Sequence, residues 1–509
     1  MRLLALILCL HTASLAADIR KAADWIPARW EGGPLELARR TRQKALPADP
    51  AVRDAIANWY DPATLNLLNG SPVNCLLVTW GAEAEAAIEK QQQQLVKAYV
   101  AEAHKRSLAI LGVVFPGADP MKLVPAAVDA RLDGLVLDGE FPDEPTLVQN
   151  LRAALAAANS PAVVIPILQE TAAPQAAKEP VPAVEGVSPS ARNMADMGIR
   201  SAPSSEPWIE SNIWLVRSFQ GPGWRPVWIS YRPDGGSADE YARFVADSAV
   251  AGGRWIVALD DGLRAKLRGN DAGALATWRS VGASLEFAER HAEWRGFAPY
   301  GRVGMIPDPA NAVVSHEYLK LLMRRQVPYR LLLRSELGAA PLDGFRAVIA
   351  TELDPPSGAE RKLLTQFAEK GGIVLAGPYW GNPPKDDSYA EVAAGKGRVA
   401  VYANPDPASV ARDMRDLLSQ QDMGVVPFNV PPLISYVSSS EAGKRLLIQL
   451  LNYSSAPAEA ITIRVDGIYK GATLYTPDAA ASPVRVKSEE GRTDVFIPKL
   501  ALWGGLVLE

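Results

Sequence analysis

The chain reads as an α/β protein in three parts: a (β/α)8 barrel, a small doubly wound α/β domain and a C-terminal antiparallel β-sandwich. Three observations predict this. Between residues 71 and 298, short apolar runs alternate with helical stretches, the pattern of parallel strands joined by right-handed crossovers. After residue 299 the alternation restarts with shorter strands, and from residue 433 it gives way to period-two strands separated by Gly, Pro and Asp. A length of 509 residues also suits about three domains of ~150 residues each.

Taken in order, residues 1–17 have the form of a secretory signal. Arg2 supplies the positive region, residues 3–10 the apolar core and residues 13–17 the small side chains for cleavage. That core is shorter than the ~20 residues needed to span a bilayer. A periplasmic or secreted protein, with no membrane insertion after signal removal, is therefore expected. Residues 18–70, helical pieces broken by Pro and Gly, read as an N-terminal helical extension. Residues 71–298 carry the barrel, with strands expected at 73–80, 109–115, 135–141, 162–168, 184–187, 198–201, 227–231 and 255–259. Residues 135–137 are apolar without a polar face, as a strand covered on both sides requires. The intervening stretches, such as the Ala-, Glu-, Gln- and Lys-rich residues 84–105, favour helix, and residues 171–182, rich in Ala, Pro and Gln, favour a loop. Residues 299–403 form the second α/β unit, 404–432 a linker and 433–509 the sandwich.

Composition removes several chemistries. A net charge of −4 gives no electrostatic footprint for nucleic acid. Beyond the signal only Cys75 remains, so no intramolecular disulfide can form. The remaining histidines, His104, His291 and His316, lack zinc-site spacing, and neither metal nor cofactor is expected. No nucleophile elbow, Walker loop or dinucleotide fingerprint is present. Carboxylates remain as reagents.

The barrel sequence is organised around residues 133–141, Asp-Gly-Leu-Val-Leu-Asp-Gly-Glu-Phe. An apolar strand stops there at two acids, and in such folds ligands bind at the carboxyl ends of the strands. If the strand continued, Asp138 and Glu140 would share one face about 6.6 Å apart. At an effective dielectric of ~20 they would repel by about 2.5 kcal/mol, enough to hold one protonated near neutrality. The competing reading has Asp138 capping the next helix and Glu140 solvated. Glu206, Asp260 and Asp261 also fall at expected strand ends; helix-terminal roles compete for all three. Trp80, Trp208 and Tyr231 offer flat faces for a sugar ring, although such residues are more often simply core. Asn212 and Arg232 are candidates for binding hydroxyls or a carboxylate.

Residues 345–350 (Phe-Arg-Ala-Val-Ile-Ala), 356–360 (Pro-Ser-Gly-Ala-Glu) and 367–375 (Phe-Ala-Glu-Lys-Gly-Gly-Ile-Val-Leu) succeed one another as in a glutamine-amidotransferase-like module. With the strand run 447–453 and the Phe-Ile-Pro at 496–498, this order resembles exported multidomain glycoside hydrolases carrying a β-galactosidase trimerisation-like module. The resemblance implies a carbohydrate substrate cleaved by two carboxylates at the barrel mouth, from among Asp138, Glu140, Glu206 and Asp260. It also implies homo-oligomerisation through the second α/β unit. That unit has no cysteine, so an amidotransferase nucleophile is missing and a structural role is expected. Residues 133–140 resemble the Asp-Gly-x-Asp-x-Asp-x-Glu signature of chitinase-type enzymes, but Val136 and Gly139 depart from it. A non-catalytic glycan-binding or scaffold protein on a degenerate glycosidase barrel is the alternative.

Overall fold

The computed structural model describes residues 21–172, 181–192, 208–220, 225–338, 342–353, 355–385, 388–428, 432–440 and 443–509. The signal reading, the strand expected at 198–201 and Glu206 lie outside these residues.

Eight parallel strands form the first sheet in sequence order: β1 (Pro27–Arg29), β2 (Cys75–Gly81), β3 (Ala109–Val114), β4 (Gly134–Leu137), β5 (Val163–Leu168), β6 (Ala183–Glu185), β7 (Trp228–Ser230) and β8 (Arg254–Trp255). The ring closes between its ends. Ala28 bridges Val257 in parallel, the Arg29 N–H donates to the Val257 carbonyl at 2.7 Å, and the Val257 N–H donates to that of Pro27 at 3.0 Å. Strand one therefore comes from residues that the sequence suggested were an extension preceding the barrel. With β1 in place, Asp138 follows the fourth strand rather than the third, and eight described strands close the ring.

Alternation along the strands divides the barrel into two apolar layers. Cys75, Leu77, Leu111, Val136, Ile165, Trp228 and Ile256 fill the inside. Val78, Trp80, Ile110, Leu135 and Leu137 point outward, beneath the helices. Each fully buried Val or Leu contributes roughly 1.5–3 kcal/mol, so neither layer tolerates a register slip. The crossover helices start on side-chain caps: Asp119, Ser237, Asp260 and Asp271 each accept a backbone N–H of the first turn.

The second α/β unit contains β9 (Val303–Met305), β10 (Tyr329–Leu331), β11 (Ala347–Ala350), β12 (Ile373–Ala376), β13 (Tyr389–Ala394) and β14 (Gly397–Tyr402). Their order is β10-β9-β11-β12-β14-β13, parallel except for the β13 edge, which is a doubly wound arrangement. Two antiparallel sheets then pack into the sandwich around Leu446, Ile448, Ile463, Val495 and Leu506. Residues 404–428, within the span 404–432 read from the sequence as a linker, carry a helix and a strand. Helix Pro407–Leu417 packs on helix Ala312–Arg324, and strand Val425–Phe428 pairs with Ala458–Asp466.

The barrel is also tied to the sandwich by a buried polar knot. The Asp247 carboxylate accepts from Ser211 Oγ at 2.6 Å, from the Asn212 N–H and Nδ2 at 2.8 and 2.9 Å, and from the Tyr453 hydroxyl.

Candidate functional site

The residues that meet at the carboxyl ends of the strands start with β1. In the run Ile26-Pro27-Ala28-Arg29-Trp30-Glu31, Ile26, Ala28 and Trp30 join the outer apolar layer. Arg29 and Glu31 alternate with them and turn to the barrel axis, with side chains only 4% exposed. From β4 comes Asp138, 13% exposed, and from β7 come Ser230 and Arg232. Arg29 Nη1 donates to Glu31 Oε1 at 2.6 Å and to Asp138 Oδ2 at 2.9 Å, while its Nη2 donates to Ser230 Oγ at 2.7 Å. Arg232 Nη2 donates to the same two carboxylate oxygens, at 2.9 and 2.7 Å. Because both oxygens bond one Arg29 nitrogen at 2.6 and 2.9 Å, they lie within about 5.5 Å of each other.

The electrostatics follow from burial set against charge. Burial pushes the Glu31 carboxyl up, but Arg232, then Arg29 and Arg39, outweigh it and hold the group well below the usual carboxylate range. Burial also raises Asp138, and there too Arg29 and Arg232 prevail over Glu31, leaving its pKa lowered. Both acids are therefore ionised at neutral pH. Burial lowers Arg232 and the two acids raise it, for a net rise.

A second layer of charge surrounds this group. Helix Gly33–Arg42 follows β1 directly and buries Glu36, which accepts from Arg39, Arg40 and Thr79 Oγ1. Arg40 also reaches Asp261. The Arg39 guanidinium lies 4.1 Å from the centre of the Phe115 ring. Arg264 donates to the Glu31 carbonyl and stacks over Trp59 at 4.2 Å.

The sequence-predicted site residues divide as follows. Asp138 and Arg232 meet in the mouth. The proposed Asp138–Glu140 pair does not form on one strand face, because β4 ends at Leu137 and Gly139 takes φ +121°, which breaks the alternation. Glu140 is exposed, and the partner that Asp138 does have is Glu31. The repulsion argument fails with the pair, since two arginines outweigh the neighbouring acid, Glu31, and leave the Asp138 pKa lowered. Asp260 caps helix Asp261–Arg268 and accepts from the Tyr241 hydroxyl at 2.7 Å. Asp261 pairs with Arg40 and Arg264.

The aromatic candidates lie elsewhere. Trp80 is fully buried in the helix-facing layer. Tyr231 stacks on Trp255 at 5.4 Å among the buried rings outside the barrel. Trp208 lies under the Arg324 guanidinium at 3.5 Å, beside the second α/β unit. Asn212 belongs to the Asp247 knot. Sequence reasoning missed Arg29, Glu31, Ser230 and Glu36. The available signal was the alternation of residues 26–31, with apolar groups at even positions and Arg and Glu at 29 and 31.

Among the described residues no cluster of His, Cys, Asp and Glu is arranged to hold a metal ion, and no helix is long and apolar enough to cross a membrane.

No family model and no curated protein matches this chain. Among solved structures, α-L-fucosidase isoenzyme 2 from Paenibacillus thiaminolyticus is similar at TM-score 0.55 and 13% identity, covering 87% of this chain and 95% of that one. An exo-carrageenase GH42 from Bacteroides ovatus aligns at TM-score 0.43 and 9% identity, over 95% of this chain and 80% of that one. The likeness that carries weight is the first, and what it shows is the shared fold, a (β/α)8 barrel followed by a β-rich C-terminal part.

Proposed function

We propose that the protein is an exported glycoside hydrolase whose carbohydrate substrate enters the barrel mouth and reacts at Asp138 and Glu31. One observation carries this reading: two carboxylates from strands one and four stand within about 5.5 Å of each other at the carboxyl rim. That ceiling puts the pair on the short side of the two glycosidase geometries, the retaining one, in which carboxyl groups lie about 5–5.5 Å apart. Asp138, held ionised, supplies the nucleophile that attacks the anomeric carbon. Glu31, after taking up a proton from solvent as the substrate enters, protonates the departing oxygen and afterwards takes the proton from the attacking water. Arg232 is the largest charge contribution lowering Glu31, and its side chain is 45% exposed. A sugar that displaces it removes the largest of the three charges that lower Glu31 and leaves Arg29 and Arg39 set against burial, which favours the proton-carrying form.

The support is chemical, with fold likeness to a fucosidase behind it. Export rests on the form of residues 1–17, and oligomerisation through the second α/β unit on its resemblance to a trimerisation module. A second reading, a barrel that binds glycans without cleaving them, is favoured by the arginines that hold both acids ionised in the free protein. A panel of nitrophenyl glycosides separates the two. Hydrolysis by the wild type that is lost in both Glu31→Gln and Asp138→Asn, but kept in Glu140→Gln, supports the hydrolase. Glycan binding without turnover supports the second reading.

A further inference from the structure

A cavity of about 240 Å³ lies between the underside of the barrel and the sandwich. Its barrel wall includes Ala249, Ala251 and Gly252, the turn that leads into β8 at Arg254. It therefore opens at the amino ends of the strands, at the opposite end of the barrel from Glu31 and Asp138. Pockets for drug-sized ligands run from about 300 Å³ upward, so this one suits a single small ring.

Its lining is divided by chemistry. At one side two glutamines are fixed by the same turn: Gln220 Nε2 donates to the Ala251 carbonyl at 2.8 Å, and Gln449 Nε2 donates to that of Val250. Gln220 then uses its oxygen to hold Arg217, whose guanidinium lies over Tyr436, 5.7 Å from the ring centre. Gln449, only 6% exposed, keeps its oxygen without a hydrogen-bond partner among the described residues. At the other side are Phe287, Trp294 and Trp503, with His291 stacked on Trp294 at 4.1 Å. The buried Trp503 indole N–H also has no partner among the described residues. A buried donor left unpaired is costly, and a bound polar molecule satisfies it.

The charge is one-sided. Glu289 is already matched by Arg254 and Arg295. Arg217, and Arg445 over the lining ring of Phe297 at 5.3 Å, have no carboxylate partner among the described residues. Fixed amides and an arginine facing aromatic rings match the hydroxyls, the acid group and the apolar face of a sugar acid.

We infer that this cavity is a second carbohydrate site, independent of the mouth, that takes one sugar residue bearing a carboxylate. The test is titration calorimetry of the full chain with D-galacturonate and with D-galactose. Galacturonate is expected to bind saturably and at least tenfold more tightly than galactose. Arg217→Met and Gln449→Leu are each expected to weaken it tenfold or more, while Asp138→Asn, at the far end of the barrel, leaves the affinity unchanged. Unfolding curves identify any variant that fails to fold, and the remaining variant then carries the test. The inference is overturned if galacturonate gives no saturable binding or galactose binds equally well. It is also overturned if the affinity survives both cavity changes or falls in Asp138→Asn. None of these results depends on whether the mouth hydrolyses glycosides.

Discussion

Glu31 and Asp138 are 107 positions apart in the chain, yet one Arg29 nitrogen bonds both, at 2.6 and 2.9 Å. This ties strand one to strand four across the barrel axis and fixes both carboxylates where a substrate would enter.

The shared arginine makes the first prediction. Removing one partner of a buried ion pair leaves an uncompensated charge and costs about 3–5 kcal/mol. Arg29→Met should destabilise the protein by that order in urea unfolding. Arg29→Lys should recover only part of the loss, since an ammonium cannot bridge the two acids and Ser230 with a planar fork.

The pH dependence follows from the same group. Glu31 and Asp138 both have folded pKa values below their ordinary ones. A carboxyl so lowered contributes stability that is fully present above its unfolded pKa of ~4 and is lost as pH falls through the folded value. Urea midpoints should therefore drop as the pH goes from 5 to 3. The double variant Glu31→Gln/Asp138→Asn should show a shallower fall. An equal slope in both proteins would mean that these acids are not the ones held down.

Much of the fold was legible because long apolar runs and long helices carry strong periodic signals. Residues 75–81, 109–114 and 163–168 stand out in this way, and Asp138 was found because an apolar strand ends on it. Strand β1 was not legible as a strand: three residues beginning with Pro carry almost no propensity, and their place depends on backbone pairing with Val257 on one side and with β2 on the other, which only the closed ring supplies. Losing β1 meant losing Arg29 and Glu31, and with them the true partner of Asp138. Trp80 and Tyr231 were misplaced for a related reason. Which face of a buried strand looks inward cannot be read when both faces are apolar.

The knot between barrel and sandwich gives the third prediction. Tyr453 donates to the buried Asp247 carboxylate and to Ser211 Oγ, the latter at 2.8 Å. Burial raises the Asp247 pKa, against the pull of its hydrogen bonds. Tyr453→Phe keeps the ring but removes one of those donors, and should cost about 1–3 kcal/mol. The loss should grow as the pH rises, because the ionised carboxylate is the form that needs the donor. Thermal unfolding at pH 5 and pH 8 checks both parts.

Two glycines make an opposed pair for the last prediction. Gly139, next to Asp138, has φ +121°, and an added Cβ would meet Pro116 carbons at 2.7 and 2.9 Å. Backbone strain of this kind costs of order 1–3 kcal/mol, and the clash forces the turn after β4 to move. Gly139→Ala should lower stability and, because the turn sets the position of Asp138, reduce turnover by more than the loss of folded protein explains. Gly282 lies within helix Ala272–Arg290, and an added Cβ there would meet nothing within 4 Å. A helical Gly gives up about 0.5–1 kcal/mol relative to Ala, so Gly282→Ala should raise the unfolding midpoint and leave activity unchanged. Chemical denaturation of both variants beside the wild type reads the two signs directly. A neutral Gly139→Ala would mean that the turn does not position Asp138.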